Sequence, residues 1–171
     1  MRTFYSESEE NVMGKKEKKK IKICFAASSG GHYEQLMMLK PLMDKYDSFV
    51  ITEKTKYSAE AKGEKTYYME QVNRREKTFA WKMIDNLFKS IKIYWKEKPD
   101  VVICTGVLAM IPMCLLAKLY GKKLIYIESF AKVTSPTKTG KLLYKFADKF
   151  YVQWKPMLKV YPNACYLGGI Y

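Results

Sequence analysis

Short apolar runs, many of them β-branched or aromatic, recur along the chain at intervals that suit the strands of an α/β fold. Each run is four to six residues long and ends at polar or turn-forming residues, which is typical of buried strands. The pattern predicts seven strands, at Ile21–Ala26, Ser48–Thr52, Lys65–Met69, Val101–Cys104, Lys123–Ile127, Lys149–Gln153 and Ala164–Leu167.

The segments between these runs have the three-to-four-residue apolar spacing of helices. The predicted helices are His32–Lys45, Thr78–Lys98, Val107–Tyr120 and Thr139–Phe146, with a short turn near Lys155–Val160. Pro41 is expected to kink or shorten the first helix. Strands that alternate with helices are joined by crossovers, so the pattern predicts a parallel sheet with helices on both faces.

The chain has 171 residues, which suits a single domain with a full core. We therefore predict one Rossmann-like α/β domain over residues 21–171, preceded by a polar, basic tail over residues 1–20. The tail has no apolar stretch of the kind found in signal peptides, so secretion is not expected. The longest apolar run, Val101 to Ala117, is interrupted by Thr105, Gly106 and Pro112, and it predicts a strand, a turn and a buried helix rather than a membrane span.

The predicted helix from Phe79 to Lys98 has an unusual distribution of side chains. At about 100° per residue its apolar side chains cover one continuous arc. A row of lysines follows next to Trp81 at one edge of that arc. Such a pattern is typical of a helix at a lipid interface. The predicted membrane-facing residues are Trp81, Lys82, Phe88, Lys89, Lys92, Trp95 and Lys96. The alternative is that the apolar arc packs on the sheet and the lysines are simply solvated.

The charge of the chain indicates an anionic partner without identifying it. The chain has 31 lysines and arginines and 17 acidic residues, which gives a formal net charge of +14. A surface of this kind attracts anionic lipid, phosphorylated substrates or nucleic acid. The sequence has no recognisable nucleic-acid-binding motif, so a nucleic-acid partner is not predicted. With one histidine and no Cys-x-x-Cys pair, no metal centre is expected.

Candidate chemistry is concentrated where the first predicted strand meets the first helix. Ser28, Ser29, Gly30 and Gly31 lead into His32, the only histidine of the chain. A helix N-terminus offers free N–H groups to a phosphate and favours a neutral imidazole, which can accept a proton. His32 is therefore a candidate catalytic residue and the four residues before it are candidate substrate ligands, although a plain strand-to-helix turn would look the same.

Two later strand ends add to this site. Thr105 and Gly106 repeat the strand-to-helix arrangement, and Glu128 and Ser129 end the strand at Lys123–Ile127. Ligands of open α/β sheets bind beyond the carboxyl ends of strands, so all four are candidate site residues. Glu128 could act as the catalytic base, orient His32, or only cap nearby N–H groups.

Three motifs in order resemble the Alg14 family, which includes bacterial capsule and exopolysaccharide proteins. They are "KICFAASSGGHYEQLMML", "KPDVVICTGVLAMIPMCLLAKLYGKKLIYIESFAKV" and the closing "YLGGIY". Members look like the N-terminal half of a GT-B glycosyltransferase such as MurG. The resemblance implies a subunit that presents a polyprenyl-diphosphate-linked acceptor to a UDP-sugar bound mainly by a separate Alg13-like subunit, with no cofactor of its own.

The resemblance also implies where the subunit lies and what it contacts. The C-terminal edge, with Tyr166, Gly168, Gly169 and Tyr171, is the expected docking surface for the donor subunit. The expected location is the cytoplasmic face of the plasma membrane, reached through a peripheral anionic surface. The alternative function is a non-catalytic adaptor that recruits and stabilises the catalytic partner at the membrane.

Overall fold

The computed structural model describes residues 20–55, 64–106 and 108–171, and these residues build a seven-stranded sheet with helices on both faces. The strands are β1 Lys22–Ala26, β2 Asp47–Glu53, β3 Thr66–Met69, β4 Val101–Cys104, β5 Lys123–Ile127, β6 Lys149–Val152 and β7 Cys165–Tyr166. The helices are α1 Gly31–Met37, α2 Lys40–Lys45, α3 Phe79–Glu97, α4 Ile111–Leu119 and α5 Lys138–Leu143. Short 3₁₀ turns cover Leu108–Met110 and Lys155–Lys159. The predicted tail lies, apart from Lys20, outside the described residues.

The sheet order is β3-β2-β1-β4-β5-β6-β7, and every neighbouring pair is parallel. The chain builds outward from β1 to β3, then returns and builds in the other direction from β4 to β7. The reversal between β1 and β4 opens a crevice at the carboxyl ends of the strands, where ligands of such sheets bind. The predicted parallel α/β fold is confirmed.

Prolines account for two differences from the predicted helices. The first helix is broken into α1 and α2, with Pro41 in the first turn of α2. Pro112 likewise stands in the first turn of α4, behind a 3₁₀ turn. Proline lacks the N–H group and has a fixed φ, so it is tolerated at the start of a helix and breaks its interior. The expected effect of Pro41 is confirmed.

The core consists of two layers, one on each side of the sheet. Side chains alternate along β1, so that Cys24 and Ala26 face the layer under α3 and α4 while Ile23 and Phe25 face the layer under α1. Leu36 and Met43 of the first helical segment are buried in this second layer. Tyr126 and Phe150 stack in the first layer with their ring centroids 5.0 Å apart.

Helix α3 buries several polar side chains against the protein and leaves many of its apolar side chains exposed. Its buried residues include Asn86, Ser90 and Glu97. The Asn86 side-chain amide makes two 2.9 Å hydrogen bonds with the backbone of Glu70, which explains why a polar residue faces inward. Trp81 and Phe88 are 75% and 59% exposed. The arc is therefore divided: Ile93 and Tyr94 pack in the core with Ile91 against them, while the part of the arc that carries Trp81 and Phe88 is exposed.

Most of the apolar segment that follows β4 is buried. It forms a 3₁₀ turn and α4, in which Ile111, Met113, Cys114 and Leu116 are buried. This is the predicted strand, turn and buried helix. In the described part of the chain, no helix is both long enough and apolar enough to cross a bilayer.

Candidate functional site

The junction between β1 and α1 forms the glycine-rich loop that the sequence predicts. Gly30 has φ 72°, in the region that favours glycine, and its carbonyl accepts hydrogen bonds from the N–H groups of Tyr33 and Glu34 at 2.8 and 3.1 Å. The first N–H groups of a helix have no partner inside the helix, and here the N–H groups of Gly31 and His32 are in that position. The loop thus offers donors where an anion could bind.

His32 lies half-buried between this loop and the end of β4. Its ring packs against Gly106, where an added Cβ would lie 3.2 Å from Cε1 and 3.3 Å from Nδ1. The hydroxyl of Thr105 donates to the backbone carbonyl of His32 at 3.0 Å. The structure therefore brings together His32, Thr105 and Gly106 from two separate motifs. Gly106 also has φ 118°, so this position excludes larger residues on two grounds.

The environment of His32 favours its neutral form. Burial lowers the pKa of His32 below its usual 6.5, while the Thr105 backbone and the charge of Glu128 offset part of that effect. The Nδ1 atom is buried without a hydrogen-bond partner among the described residues. A neutral imidazole can accept a proton from a substrate hydroxyl at a ring nitrogen that the substrate reaches.

The two serines of the loop are turned toward the protein. Ser28 is buried, and its hydroxyl donates to the carbonyl of Ser29 at 3.3 Å. The hydroxyl of Ser29 lies 3.5 Å from a carboxylate oxygen of Glu53. Glu53 ends β2, is buried, and also accepts a hydrogen bond from the backbone of Val72. The sequence interpretation missed Glu53, although a carboxylate at a strand end was the same signal that singled out Glu128.

Glu128 is a buried carboxylate with its hydrogen-bonding capacity fully used. It accepts from the N–H of Ser129 at 2.9 Å, from the N–H and hydroxyl of Thr137, and from the hydroxyl of Tyr161 at 2.9 Å. A Cβ on Gly140 would lie 2.1 Å from one of its oxygens, so α5 packs directly on it. Its exposed fraction is 1%. Glu128 thus caps nearby donors, which was one of the three roles left open, and Ser129 is nearly buried beside it.

Partners of Glu128 also connect β5 to the glycine-rich loop. Gln153 donates to the backbone carbonyl of Glu128 at 2.8 Å, and Gln35 in α1 contacts the same oxygen at 3.4 Å. Thr137, Gln153 and Tyr161 escaped sequence interpretation because they come from three different segments. Burial and the Glu128 charge raise the pKa of Tyr161 well above its usual value, so its phenol stays protonated and donates a hydrogen bond to Glu128.

The C-terminal segment returns to the glycine-rich loop. The Tyr171 ring packs edge-on against Phe130 with centroids 5.0 Å apart, and its hydroxyl lies 3.4 Å from the carbonyl oxygen of Gly31. Leu167 is 83% exposed. Between this segment and the sheet is an apolar groove of about 330 Å³, whose floor includes Ile103, Ile125, Ile127 and Tyr151. The predicted docking edge therefore lies beside the candidate site.

The lysines along α3 fall into two groups. Lys82 pairs with Glu76 at 2.5 Å, and Lys89 pairs with Glu70 and Asp85. Lys92 and Lys96 form no ion pair with another described residue, although the Lys96 Nζ lies 5.6 Å from the centre of the Tyr67 ring. The exposed apolar face beside them continues onto α4 through a groove of about 540 Å³ lined by Ile84, Leu87, Leu115 and Leu119, among others. We call this combined surface the α3–α4 apolar face.

The fold defines the class of protein to which the chain is related. It resembles the N-terminal half of GT-B enzymes. MurG from Acinetobacter baumannii superimposes with a TM-score of 0.65 at 17% identity, over 80% of this chain and 42% of that one. A UDP-GlcNAc 2-epimerase from Neisseria meningitidis gives 0.66 at 12% identity, over 88% and 47%. Likeness at such low identity shows the fold alone.

The sequence places the chain more narrowly. A family model described as "Oligosaccharide biosynthesis protein Alg14 like" matches residues 23–170. The UDP-N-acetylglucosamine transferase subunit ALG14 of Rattus norvegicus is 31% identical, over 86% of this chain and 82% of that protein. The chain belongs to the Alg14 family, and the resemblance seen in its three motifs is confirmed.

Proposed function

We propose that this chain is the acceptor-binding subunit of a two-component glycosyltransferase. Together with an Alg13-like donor subunit, it transfers a sugar from a UDP-sugar to a polyprenyl-diphosphate-linked saccharide. One observation carries this proposal: the docking edge and the His32 loop meet, because Tyr171 contacts the carbonyl of Gly31. A donor subunit seated on that edge would bring its nucleotide sugar next to His32. The resemblance to capsule and exopolysaccharide proteins suggests such a saccharide as the product.

His32 is the group proposed to act on the acceptor. Attack on the donor sugar requires that the acceptor hydroxyl lose its proton, and the buried, neutral imidazole of His32 suits that task. The N–H groups that follow Gly30, with Ser28, Ser29 and Gly31 shaping the loop, would bind a phosphate oxygen of the reacting pair. Thr105 and Gly106 hold the His32 ring and backbone in place.

Glu128 is proposed to position this machinery instead of acting as the base. It is 1% exposed, and its oxygens accept from Ser129, Thr137 and Tyr161. A carboxylate with these partners holds the ends of β5 and α5 together, and its charge acts on His32 at a distance.

The α3–α4 apolar face is proposed to bind the cytoplasmic surface of the plasma membrane. Trp81, Phe88 and Trp95 are more than half exposed, and Lys92 and Lys96, which form no ion pair with another described residue, follow in the same helix. Aromatic rings settle at the headgroup level, and lysines near an anionic surface contribute about 1 kcal/mol each. Lys82 and Lys89 pair with carboxylates, so we expect them to contribute less to membrane attraction than Lys92 and Lys96.

The groove beneath the C-terminal segment is the proposed seat of the donor subunit. Its floor is formed by sheet residues, and its lining also includes Leu39 and Leu42 at α2 and the segment Leu167 to Ile170. Tyr166, Gly168, Gly169 and Tyr171 would lie at this interface. An apolar floor with an exposed Leu167 at its rim suits an apolar segment of the partner.

Replacement of His32 tests the transferase proposal. His32→Ala in the reconstituted pair, with purified lipid acceptor and UDP-sugar, should lower turnover by on the order of 10²-fold while co-purification with the donor subunit is unchanged. In the unaltered pair, turnover should fall on acidification through a pKa below 6.5, because imidazolium cannot accept a proton.

Glu34→Ala is the matched control, since Glu34 is an exposed residue of the same helix, and it should leave turnover unchanged. Full turnover of the His32→Ala pair would place the catalytic groups on the partner. The chain would then be the membrane adaptor that is the alternative function.

A further inference from the structure

A basic cleft that no motif pointed to lies at the carboxyl ends of the strands. Three segments meet in it: residues 70–78 between β3 and α3, Leu108 after β4, and Lys138 at the start of α5. Its volume is about 620 Å³, and its cationic side chains are Arg74, Arg75 and Lys138. This is room enough for a diphosphate and an attached sugar.

The positive charges of this cleft have no ion-pair partner among the described residues. Lysines at the amino ends of the strands, such as Lys22 and Lys122, pair with carboxylates. In contrast, Arg74, Arg75 and Lys138 form no ion pair with any other described residue. The one carboxylate that lines the cleft, Glu76, is engaged by Lys82 at 2.5 Å. Neighbouring unpaired cations in one concavity repel each other, and an anion relieves that repulsion.

Hydrogen bonds from neighbouring elements hold the backbone of the cleft. The side chain of Asn86 holds both backbone groups of Glu70, at the start of the loop, at 2.9 Å. The buried carboxylate of Glu53 accepts from the backbone of Val72. Asn73 Oδ1 accepts from the N–H of Arg75 at 3.1 Å and tightens the turn that carries both arginines. A guanidinium group can bind phosphate through two parallel hydrogen bonds.

The cleft lies between the two surfaces that a lipid-linked substrate must reach. Its loop runs directly into α3, where Trp81 is 75% exposed on the α3–α4 apolar face. On the other side, Glu53 contacts both Val72 of the cleft loop and Ser29 of the glycine-rich loop. The order along the protein is therefore apolar face, basic cleft and His32 loop. A lipid-linked saccharide has the same order of parts: hydrocarbon, diphosphate and sugar.

We propose that Arg74, Arg75 and Lys138 bind the diphosphate of the lipid-linked acceptor, between the membrane-facing helix and the reacting sugar. This inference rests on the proposed function, because it assumes a lipid-linked acceptor. Phospholipid headgroups carry the same phosphate chemistry, so the test must separate the two sources.

The test measures binding of farnesyl diphosphate by the full chain without a donor subunit. The double variant Arg74→Gln/Arg75→Gln should weaken that binding at least tenfold, and Lys138→Gln at least threefold. Lys77→Gln is the matched control, since Lys77 is an exposed lysine of the same loop that does not line the cleft, and it should bind within twofold of the unaltered chain. Binding to phosphatidylglycerol vesicles should be equal in all four proteins.

Two results would overturn the inference. Unchanged farnesyl diphosphate binding by the double variant would place the diphosphate elsewhere. An equal loss of vesicle binding and farnesyl diphosphate binding would make the cleft a general headgroup contact. Neither result bears on sugar transfer by the reconstituted pair, so failure here and failure of the transferase proposal are separate outcomes.

Discussion

Trp81 offers a way to separate membrane binding from folding and from partner binding. Its side chain is 75% exposed at the start of α3, on the α3–α4 apolar face. A tryptophan side chain has roughly 200 Å² of surface, so roughly 150 Å² of it is in water here. At about 25 cal/mol per Å², full burial in lipid would contribute about 4 kcal/mol. If half of the exposed area leaves water at the interface, the contribution is about 2 kcal/mol, or about 25-fold in affinity.

Trp81→Ser should therefore weaken sedimentation with vesicles of phosphatidylglycerol and phosphatidylethanolamine by about 25-fold. The free energy of unfolding should change by less than about 0.5 kcal/mol, because the side chain contributes little to the core. Circular dichroism during urea denaturation measures the second quantity. Co-purification with the donor subunit should not change.

Leu167→Ser is the matched control on the opposite surface. Leu167 is 83% exposed but lies at the rim of the groove under the C-terminal segment. This variant should weaken co-purification with the donor subunit and leave vesicle binding intact. If Trp81→Ser binds vesicles like the unaltered chain, or if both variants lose vesicle binding equally, the assignment of the α3–α4 apolar face to the membrane is refuted.

Two further variants test buried carboxylates. Glu128→Gln should lower the free energy of unfolding by about 3 kcal/mol, because an amide replaces a carboxylate that accepts from Ser129, Thr137 and Tyr161. The control Glu34→Gln, at an exposed position, should change the free energy of unfolding by under about 0.5 kcal/mol. Lost turnover at full stability would instead make Glu128 a direct catalytic group. Burial alone would raise the pKa of Glu97, but hydrogen bonds from Lys65, Tyr67 and Lys22 outweigh it and hold that pKa at about 2. This stability is present above the usual pKa of 4.5 and is lost as pH falls toward 2, so Glu97→Gln should flatten acid denaturation monitored by circular dichroism over that range; an unchanged acid limb would contradict the role of these bonds.

The sheet and its connections follow from local pattern. Short β-branched runs such as Val101–Cys104 favour buried strands. Their alternation with helices favours crossover connections between parallel strands. Pro41 and Pro112 fixed the helix starts for the local reason that proline has no N–H group. The glycine-rich loop before His32 was equally visible, since the positive φ of Gly30 is one that glycine adopts without steric cost.

The direction in which α3 faces was not determined by its own sequence. Its arc of apolar residues would fit a core as well as a membrane, and the periodicity is the same in both cases. The orientation of α3 is set by its buried polar residues. Asn86 hydrogen-bonds with the backbone of Glu70. Glu97 pairs with Lys22 and Lys65 and accepts a hydrogen bond from Tyr67. These partners are 16 to 75 residues away, so no local window contains them.

By itself the sequence determined the α/β class, the order of strands and helices, and the position of the His32 loop, because each depends on residues that are neighbours along the chain. Only the tertiary structure decided that Glu128 is enclosed by Thr137 and Tyr161, that Glu53 joins the glycine-rich loop to the loop of Arg74 and Arg75, and that Tyr171 reaches Gly31. Such contacts join residues up to 140 positions apart, and their geometry is set by how the sheet twists and packs its helices. A pattern of residues can show which side chains are available for chemistry, whereas the packing of the whole chain decides which of them meet.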